Sequence, residues 1–125
     1  MKRALIIRHA APESLAANYR QVLEKQGFKL EALNVFESAP AYGRFSPPDP
    51  AEISLIVVLG GPLSANDDYP ALQHERAYLK KAMDQGIPVL GVCLGAQLMA
   101  RSLGGAVQPT GGYQFGLRRL SVTAE

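Results

Sequence analysis

The segment 53-ISLIVVL-59 restricts the fold of this chain more than any other part of the sequence. It is uncharged and rich in β-branched residues, and Gly60-Gly61-Pro62 follows it directly. A short apolar run bounded by turn residues is typical of a strand that is buried on both faces. Such strands occur almost only in parallel sheets that helices cover on both sides, so the segment predicts an α/β protein.

Strand-like and helix-like segments alternate along the rest of the chain. Their patterns predict strands at 4–8, 29–36 and 87–92, a weak edge or antiparallel strand at 117–125, and helices at 14–27, 70–86 and 94–103. The intervening stretch 37–51 holds four prolines and is predicted to be a loop. We therefore expect a single domain over residues 1–125, with an open, mainly parallel sheet between two helical layers. A functional site in such a sheet lies at the carboxyl ends of the strands.

Composition and charge exclude several classes of protein. Hydrophobic residues make up 47% of the chain and charged residues 19%, which is enough for a packed core. The net charge is only +2 and the basic residues are scattered, so we expect no nucleic-acid partner. No apolar run is long enough for a membrane span or a signal peptide. With one cysteine and no internal disulfide, the sequence predicts a soluble, cytoplasmic protein without a membrane partner.

Cys93 lies between the predicted strand at 87–92 and the predicted helix at 94–103. The sequence from Gly91 to Gly95, GVCLG, has the spacing of a nucleophile elbow, where a strand turns sharply into a helix. Glycines are expected at both positions because side chains there would collide at so tight a turn. The helix N-terminus would favour a thiolate at Cys93. The alternative interpretation is that Cys93 is only a small core residue.

A thiolate that attacks a carbonyl also needs donors for the developing oxyanion. The N–H group of Leu94, directly after the nucleophile, is one candidate. The second candidate is Gly61, since a backbone without side chains at Gly60-Gly61 can approach a substrate closely. The alternative interpretation of this glycine pair is a plain turn.

Three segments together resemble a class I glutamine amidotransferase domain. They are 4-ALIIRHAAPES-14, 57-VVLGGPLSANDD-68 and 88-PVLGVCLGAQLMARSLGG-105. The likeness is to the stand-alone group that is similar to the amidotransferase domain of GMP synthase. It implies a flavodoxin-like sheet. It also implies a cysteine that attacks the side-chain amide of glutamine, releases ammonia and leaves a glutamyl thioester for water to hydrolyse.

The resemblance also implies roles for individual residues. Cys93 matches the nucleophile, and the N–H groups of Gly61 and Leu94 match the oxyanion donors. Substrate-binding roles fall to three further residues, Gly60, Gln97 and Gln114. Without the family motif, the alternative interpretation of Gln97 is a solvated residue on the surface of the helix. Glutamine is then the expected ligand and a synthase the expected partner. We expect neither a cofactor nor a metal ion.

The chain departs from the family pattern in its histidines. In the family a histidine and its glutamate partner follow the elbow, whereas the only histidines here, His9 and His74, precede Cys93. We interpret His9 as structural or peripheral and His74 as a surface residue of a helix. Gln114 stands in a Gly-rich segment where family members often carry an acidic residue. A Gly-rich turn between two strands is the alternative there.

These departures predict an incomplete member of the family, truncated on its C-terminal side and inactive as a glutaminase on its own. Whether it is an enzyme stays open at this point. One alternative is a non-catalytic binding or interaction module, which could self-associate through an exposed sheet edge. Another is the protease- and chaperone-like branch of the same superfamily. That branch places a histidine directly after the cysteine, where this chain has Leu94.

Overall fold

The computed structural model of the chain describes residues 2–9, 17–35 and 45–124. The predicted beginning of the first helix, at 14–16, and most of the predicted loop, at 37–44, lie outside the described residues.

Four parallel strands form one sheet in the order β2-β1-β3-β4. They are β1 (Lys2–Arg8), β2 (Phe28–Asn34), β3 (Leu55–Val58) and β4 (Val89–Gly91). Every predicted strand before residue 93 is therefore confirmed, with bounds that differ by a few residues. The carboxyl ends of β1, β3 and β4 meet at one edge of the sheet, where the predicted site should lie.

Of the three helices in the described residues, the first two join successive strands and the third follows β4. They are α1 (Ala17–Lys25), α2 (Pro70–Asp84) and α3 (Leu94–Ser102), and a short 3-10 turn at Pro50–Glu52 precedes β3. α2 begins with proline at its first position, where the missing N–H group has no helical partner to lose. None of the helices in these described ranges has the length and apolar character that crossing a membrane requires.

Successive strand residues point to opposite sides of the sheet, and helices cover the apolar side chains on both faces. Ile6, Val57 and Leu59 pack with Tyr19 and Leu23 of α1 on one face. The opposite face packs on α2 and α3 through the larger part of the core, which includes Leu5, Ile7, Ile56, Val58, Leu72, Leu79 and Leu98. This arrangement confirms the predicted three-layer α/β fold.

The prediction of a strand at 117–125 is wrong for the described residues. After α3, residues 103–124 contain neither helix nor strand. Leu117, Leu120 and Val122, whose alternation suggested the strand, are almost fully exposed. Alternation forms a strand only where a neighbouring edge accepts its hydrogen bonds and a core accepts its apolar side. No described element of the chain packs against these side chains in that way.

Candidate active site

The turn from β4 into α3 is made at Cys93. Its backbone has φ 56° and ψ −116°, and it is the single non-glycine residue with positive φ in the described ranges. A side chain in this region of φ/ψ space costs on the order of 1–3 kcal/mol. The turn leaves the Cys93 thiol exposed to solvent at the carboxyl end of β4.

Glycine at position 93 should remove this backbone strain. We expect Cys93→Gly to have a free energy of unfolding about 1 kcal/mol higher than Cys93→Ala, because alanine keeps the strain and glycine does not. Urea denaturation of the two variants measures the difference. The control is Ala96→Gly at an exposed position of α3, which should lower the free energy of unfolding by about 1 kcal/mol relative to the parent protein. A Cys93→Gly protein less stable than Cys93→Ala would contradict the strain.

Gly91 and Gly95 are both required by close packing. A Cβ atom at Gly91 would lie 2.5 Å from Sδ of Met99 and 2.8 Å from the nitrogen of Ala96, both in α3. A Cβ atom at Gly95 would overlap the carbonyl oxygen of Val58 in β3. Collision was the expected reason for these glycines, and the structure shows that their collision partners are α3 and β3 rather than each other.

The Gly60–Gly61 loop, directly after β3, lies beside the thiol. A Cβ atom built on Gly60 would be 3.2 Å from Cβ and 3.7 Å from Sγ of Cys93. Both glycines and Cys93 line one pocket of about 320 Å³, together with Tyr19, Leu59 and Val92. The volume is at the small end of the range for ligand sites, which suits a metabolite about as large as an amino acid.

Leu94 and Gln97 are carried by α3. Leu94 is its first residue and is buried, and its N–H group is among the first of the helix, which have no partner within it. Gln97 is exposed, and its backbone N–H donates to the carbonyl oxygen of Cys93 at 3.1 Å. Gln114 is exposed in the segment after α3. Neither glutamine is among the residues that line the Cys93 pocket.

His9 and Glu75 form a buried pair beneath the Gly60–Gly61 loop. Both side chains are completely buried, and Nε2 of His9 lies 2.8 Å and 2.9 Å from the two carboxylate oxygens of Glu75. On the other side of the ring, Nδ1 of His9 donates to the carbonyl oxygen of Leu59 at 3.0 Å. His9 therefore has a structural environment, whereas His74 is exposed on α2 as predicted.

Sequence reasoning missed Glu75. A signal was nevertheless present, because Glu75 lies three residues after Leu72 and four before Leu79, on the same face of α2. A carboxylate within an apolar helical stripe needs a buried partner.

The described residues hold no cluster of three or more His, Cys, Asp or Glu side chains that could bind a metal ion.

Two arginines hold the continuation of the loop after Gly61. Nη1 of Arg76 donates to the carbonyl oxygen of Ala65 at 3.2 Å. Nη1 of Arg101 donates to the same oxygen at 3.3 Å and to Oδ1 of Asn66 at 2.8 Å. Burial lowers the pKa of Arg76, and the charge of Arg101 adds to the effect. The loop is thus tied to both α2 and α3.

Comparisons with known proteins all lead to one group. A family model described as glutamine amidotransferase class-I matches residues 11–124. A GMP synthase (glutamine-hydrolyzing) subunit from Natronomonas pharaonis is 47% identical over 62 residues, which cover 50% of this chain and 29% of that protein. The GMP synthase (glutamine-hydrolyzing) of Nitratidesulfovibrio vulgaris is 39% identical over 70 residues, which cover 55% of this chain and 12% of that protein.

Two solved structures have the same fold over most of this chain. The crystal structure of a glutamine amidotransferase from Methylobacillus flagellatus matches with a TM-score of 0.70 and 29% identity, covering 83% of this chain and 39% of its own. A glutamine amidotransferase from Thermotoga maritima matches with a TM-score of 0.68 and 30% identity, covering 82% and 43%. This chain thus spans less than half the length of each of these relatives.

Proposed function

Because this chain belongs to the class-I glutamine amidotransferase family, we propose that it carries the nucleophile half of a glutaminase site. The proposal rests on one observation above all. The strained backbone at Cys93 presents an exposed thiol in a pocket that it shares with Gly60 and Gly61. Strain of this kind persists where the surrounding structure enforces it and is concentrated at active sites.

The proposed reaction begins at the side-chain amide of glutamine. The Cys93 thiolate attacks the amide carbon, a C–S bond forms, and the carbonyl electron pair moves onto oxygen. The N–H groups of Gly61 and Leu94 donate to that oxyanion. The intermediate collapses, the protonated nitrogen leaves as ammonia, and water cleaves the thioester to give glutamate and regenerate the thiol. Gly60, Gln97 and Gln114 are the proposed substrate contacts. Gln97 and Gln114 would have to reach the substrate from outside the present pocket lining.

The proton transfers in this scheme need a base that residues 1–125 do not supply. No histidine follows Cys93. Both ring nitrogens of His9 already bind Leu59 and Glu75, and His74 is exposed on α2. We therefore propose that glutamine hydrolysis occurs only when a histidine and its carboxylate partner come from outside these residues. By analogy with the GMP synthase relatives, the ammonia would pass to a synthase partner.

The missing histidine favours a second candidate function. The chain would be a binding or interaction module that keeps the fold and the glutamine-sized pocket without catalysis. Exposed apolar side chains in the segment 103–124 are consistent with a partner surface. The two functions differ in what they require of Cys93, because a binding module needs no reactive thiol.

Labelling of Cys93 separates the two candidates. A chloroketone with the glutamine skeleton places its carbonyl oxygen at the oxyanion position, and the thiolate displaces chloride to form a thioether. The quantity to compare is the rate of modification by the chloroketone divided by the rate of modification by iodoacetamide. We expect this rate ratio to be at least about tenfold higher for Cys93 than for free cysteine, because binding orients the carbon for attack. Excess glutamine should protect the thiol. Mass spectrometry of the intact protein measures both rates, and Cys93→Ala is the unlabelled control.

Ammonia release gives the complementary result. The chain alone should release no measurable ammonia from glutamine, because it lacks the base. If Cys93 shows the reactivity of free cysteine toward both reagents and glutamine gives no protection, the nucleophile role is wrong and the binding module is the better account.

A further inference from the structure

We infer that the buried His9–Glu75 pair is a positioning device for the oxyanion loop, which we define as Leu59, Gly60 and Gly61. Through this pair, α2 holds the loop against the Cys93 thiol. The inference deepens the proposed function and rests on it for the role of the loop, while the contacts themselves are independent of that role.

The contacts form a continuous path from α2 to the thiol. Glu75 of α2 binds Nε2 of His9 at 2.8 Å and 2.9 Å. His9 follows β1 directly, and its Nδ1 donates to the carbonyl oxygen of Leu59 at 3.0 Å. The next residue, Gly60, lies against Cys93, since a Cβ atom there would be 3.2 Å from that of the cysteine. A displacement of Glu75 is therefore transmitted to the loop through one side chain.

The oxyanion loop also packs directly on His9. A Cβ atom at Gly61 would lie 2.6 Å from Cβ and 3.1 Å from the carbonyl oxygen of His9. The loop backbone therefore sits directly on the backbone and Cβ of His9. Because oxyanion donors act only at hydrogen-bond distance, a shift of about 1 Å in the position of His9 would remove most of their effect.

The carboxyl group of Glu75 anchors the ring nitrogen that faces away from the loop. The Leu59 carbonyl oxygen can only accept, so Nδ1 of His9 must carry a hydrogen. A second proton lies between Nε2 and Glu75, either on the ring or on the carboxyl group. In both arrangements Nδ1–H remains directed at Leu59. Without a polar partner at position 75, the neutral ring still donates Nδ1–H to Leu59, but Nε2 is no longer tied to α2, so the ring and the loop that it holds can shift together.

Stability alone is a weak reason for such a pair. Apolar residues of similar volume serve a protein core as well as a buried ion pair or better. The other buried residues of α2 are alanine, leucine and tyrosine side chains. The one carboxylate among them is the residue that reaches the end of β1 and, through it, the oxyanion loop. Its position agrees with a role in fixing geometry.

Two substitutions of Glu75 test the positioning role. Glu75→Gln should keep the chloroketone-to-iodoacetamide rate ratio of Cys93 within about twofold, because an amide N–H can donate to Nε2 and leave Nδ1–H on Leu59. Glu75→Leu should lower that ratio about tenfold while the iodoacetamide rate stays unchanged, since simple alkylation needs no oxyanion donor. Tyr78→Phe is the matched control. It removes a buried hydroxyl group from the same helix, and that hydroxyl has no hydrogen-bond partner among the described residues.

Amide hydrogen exchange provides a readout that does not depend on the proposed function. In Glu75→Leu, exchange at Gly60 and Gly61 should be at least about tenfold faster than in the parent chain, and Tyr78→Phe should leave it unchanged. If the parent chain shows no chloroketone preference but the exchange result holds, the proposed function fails and the positioning role survives.

A fallback variant covers the case in which Glu75→Leu does not fold. His9→Gln keeps a donor for Glu75 but cannot reach Leu59, so it should show the same loss of rate ratio and of protection. A folded Glu75→Leu or His9→Gln protein with the parental rate ratio and the parental exchange at Gly60 and Gly61 overturns the inference.

Discussion

Replacing Gly95 with alanine is expected to lower the free energy of unfolding by about 3 kcal/mol or more, a large part of the total stability of a protein of this size. The added Cβ atom would overlap the carbonyl oxygen of Val58 and lie 2.6 Å from its carbonyl carbon. Neither atom can rotate away, because Val58 belongs to β3 in the middle of the sheet. The first turn of α3 must move instead, and with it the N-terminus beside Cys93.

The sign of this result is informative because helix propensity predicts the opposite. Within a helix, alanine is ordinarily about 1 kcal/mol more favourable than glycine. Urea denaturation followed by circular dichroism measures the change. The control is Gly112→Ala, since Gly112 is exposed and a Cβ atom there meets nothing within 4 Å. A Gly95→Ala protein as stable as the parent would show that α3 does not pack on β3 at the described distance.

Replacing Gly61 with alanine is expected to act on reactivity. The new Cβ atom would be 2.6 Å from Cβ of His9, a buried atom with no freedom to move aside. The loop must therefore move away from His9, and the N–H group of Gly61 then leaves the oxyanion position. Loss of one oxyanion donor lowers rates by about 100-fold in well-studied enzymes, so we expect a fall of about that size in the chloroketone-to-iodoacetamide rate ratio.

The measurement is the same mass-spectrometric labelling, carried out on folded protein. Gly112→Ala should leave the ratio unchanged, and the iodoacetamide rate should be alike in parent and variant. A Gly61→Ala protein with the parental ratio would exclude Gly61 as an oxyanion donor while leaving Cys93 as the nucleophile.

Local patterns were sufficient to predict the sheet and the position of Cys93. Buried parallel strands have their own composition, and a strand-to-helix turn needs small residues at Gly91 and Gly95, so both can be recognised from neighbouring residues. The weak strand predicted at 117–125 was wrong because alternation alone does not provide the partner strand that a β-ladder requires. Local pattern is informative only where the local residues determine the outcome.

Contacts between distant residues could not be predicted in the same way. His9 and Glu75 are 66 positions apart, and only the packing of α2 on the sheet brings them together. Helical spacing placed Gln97 one turn beyond Cys93 but could not show that its side chain lies outside the pocket lining. Family resemblance named Gln114 as a substrate contact, yet in this structure it lies in an exposed segment without regular structure.

The buried histidine–glutamate pair has a consequence for how this sequence can diverge. An exchange at position 75 alone leaves a buried imidazole without its partner, and an exchange at position 9 alone leaves a buried carboxylate without its partner. Either change lowers the free energy of unfolding by several kcal/mol, a large part of the stability of a folded protein. We therefore expect positions 9 and 75 to change together. Lineages that lose one member should also lose the other, and in them the glycines at 60 and 61 come under a different selection.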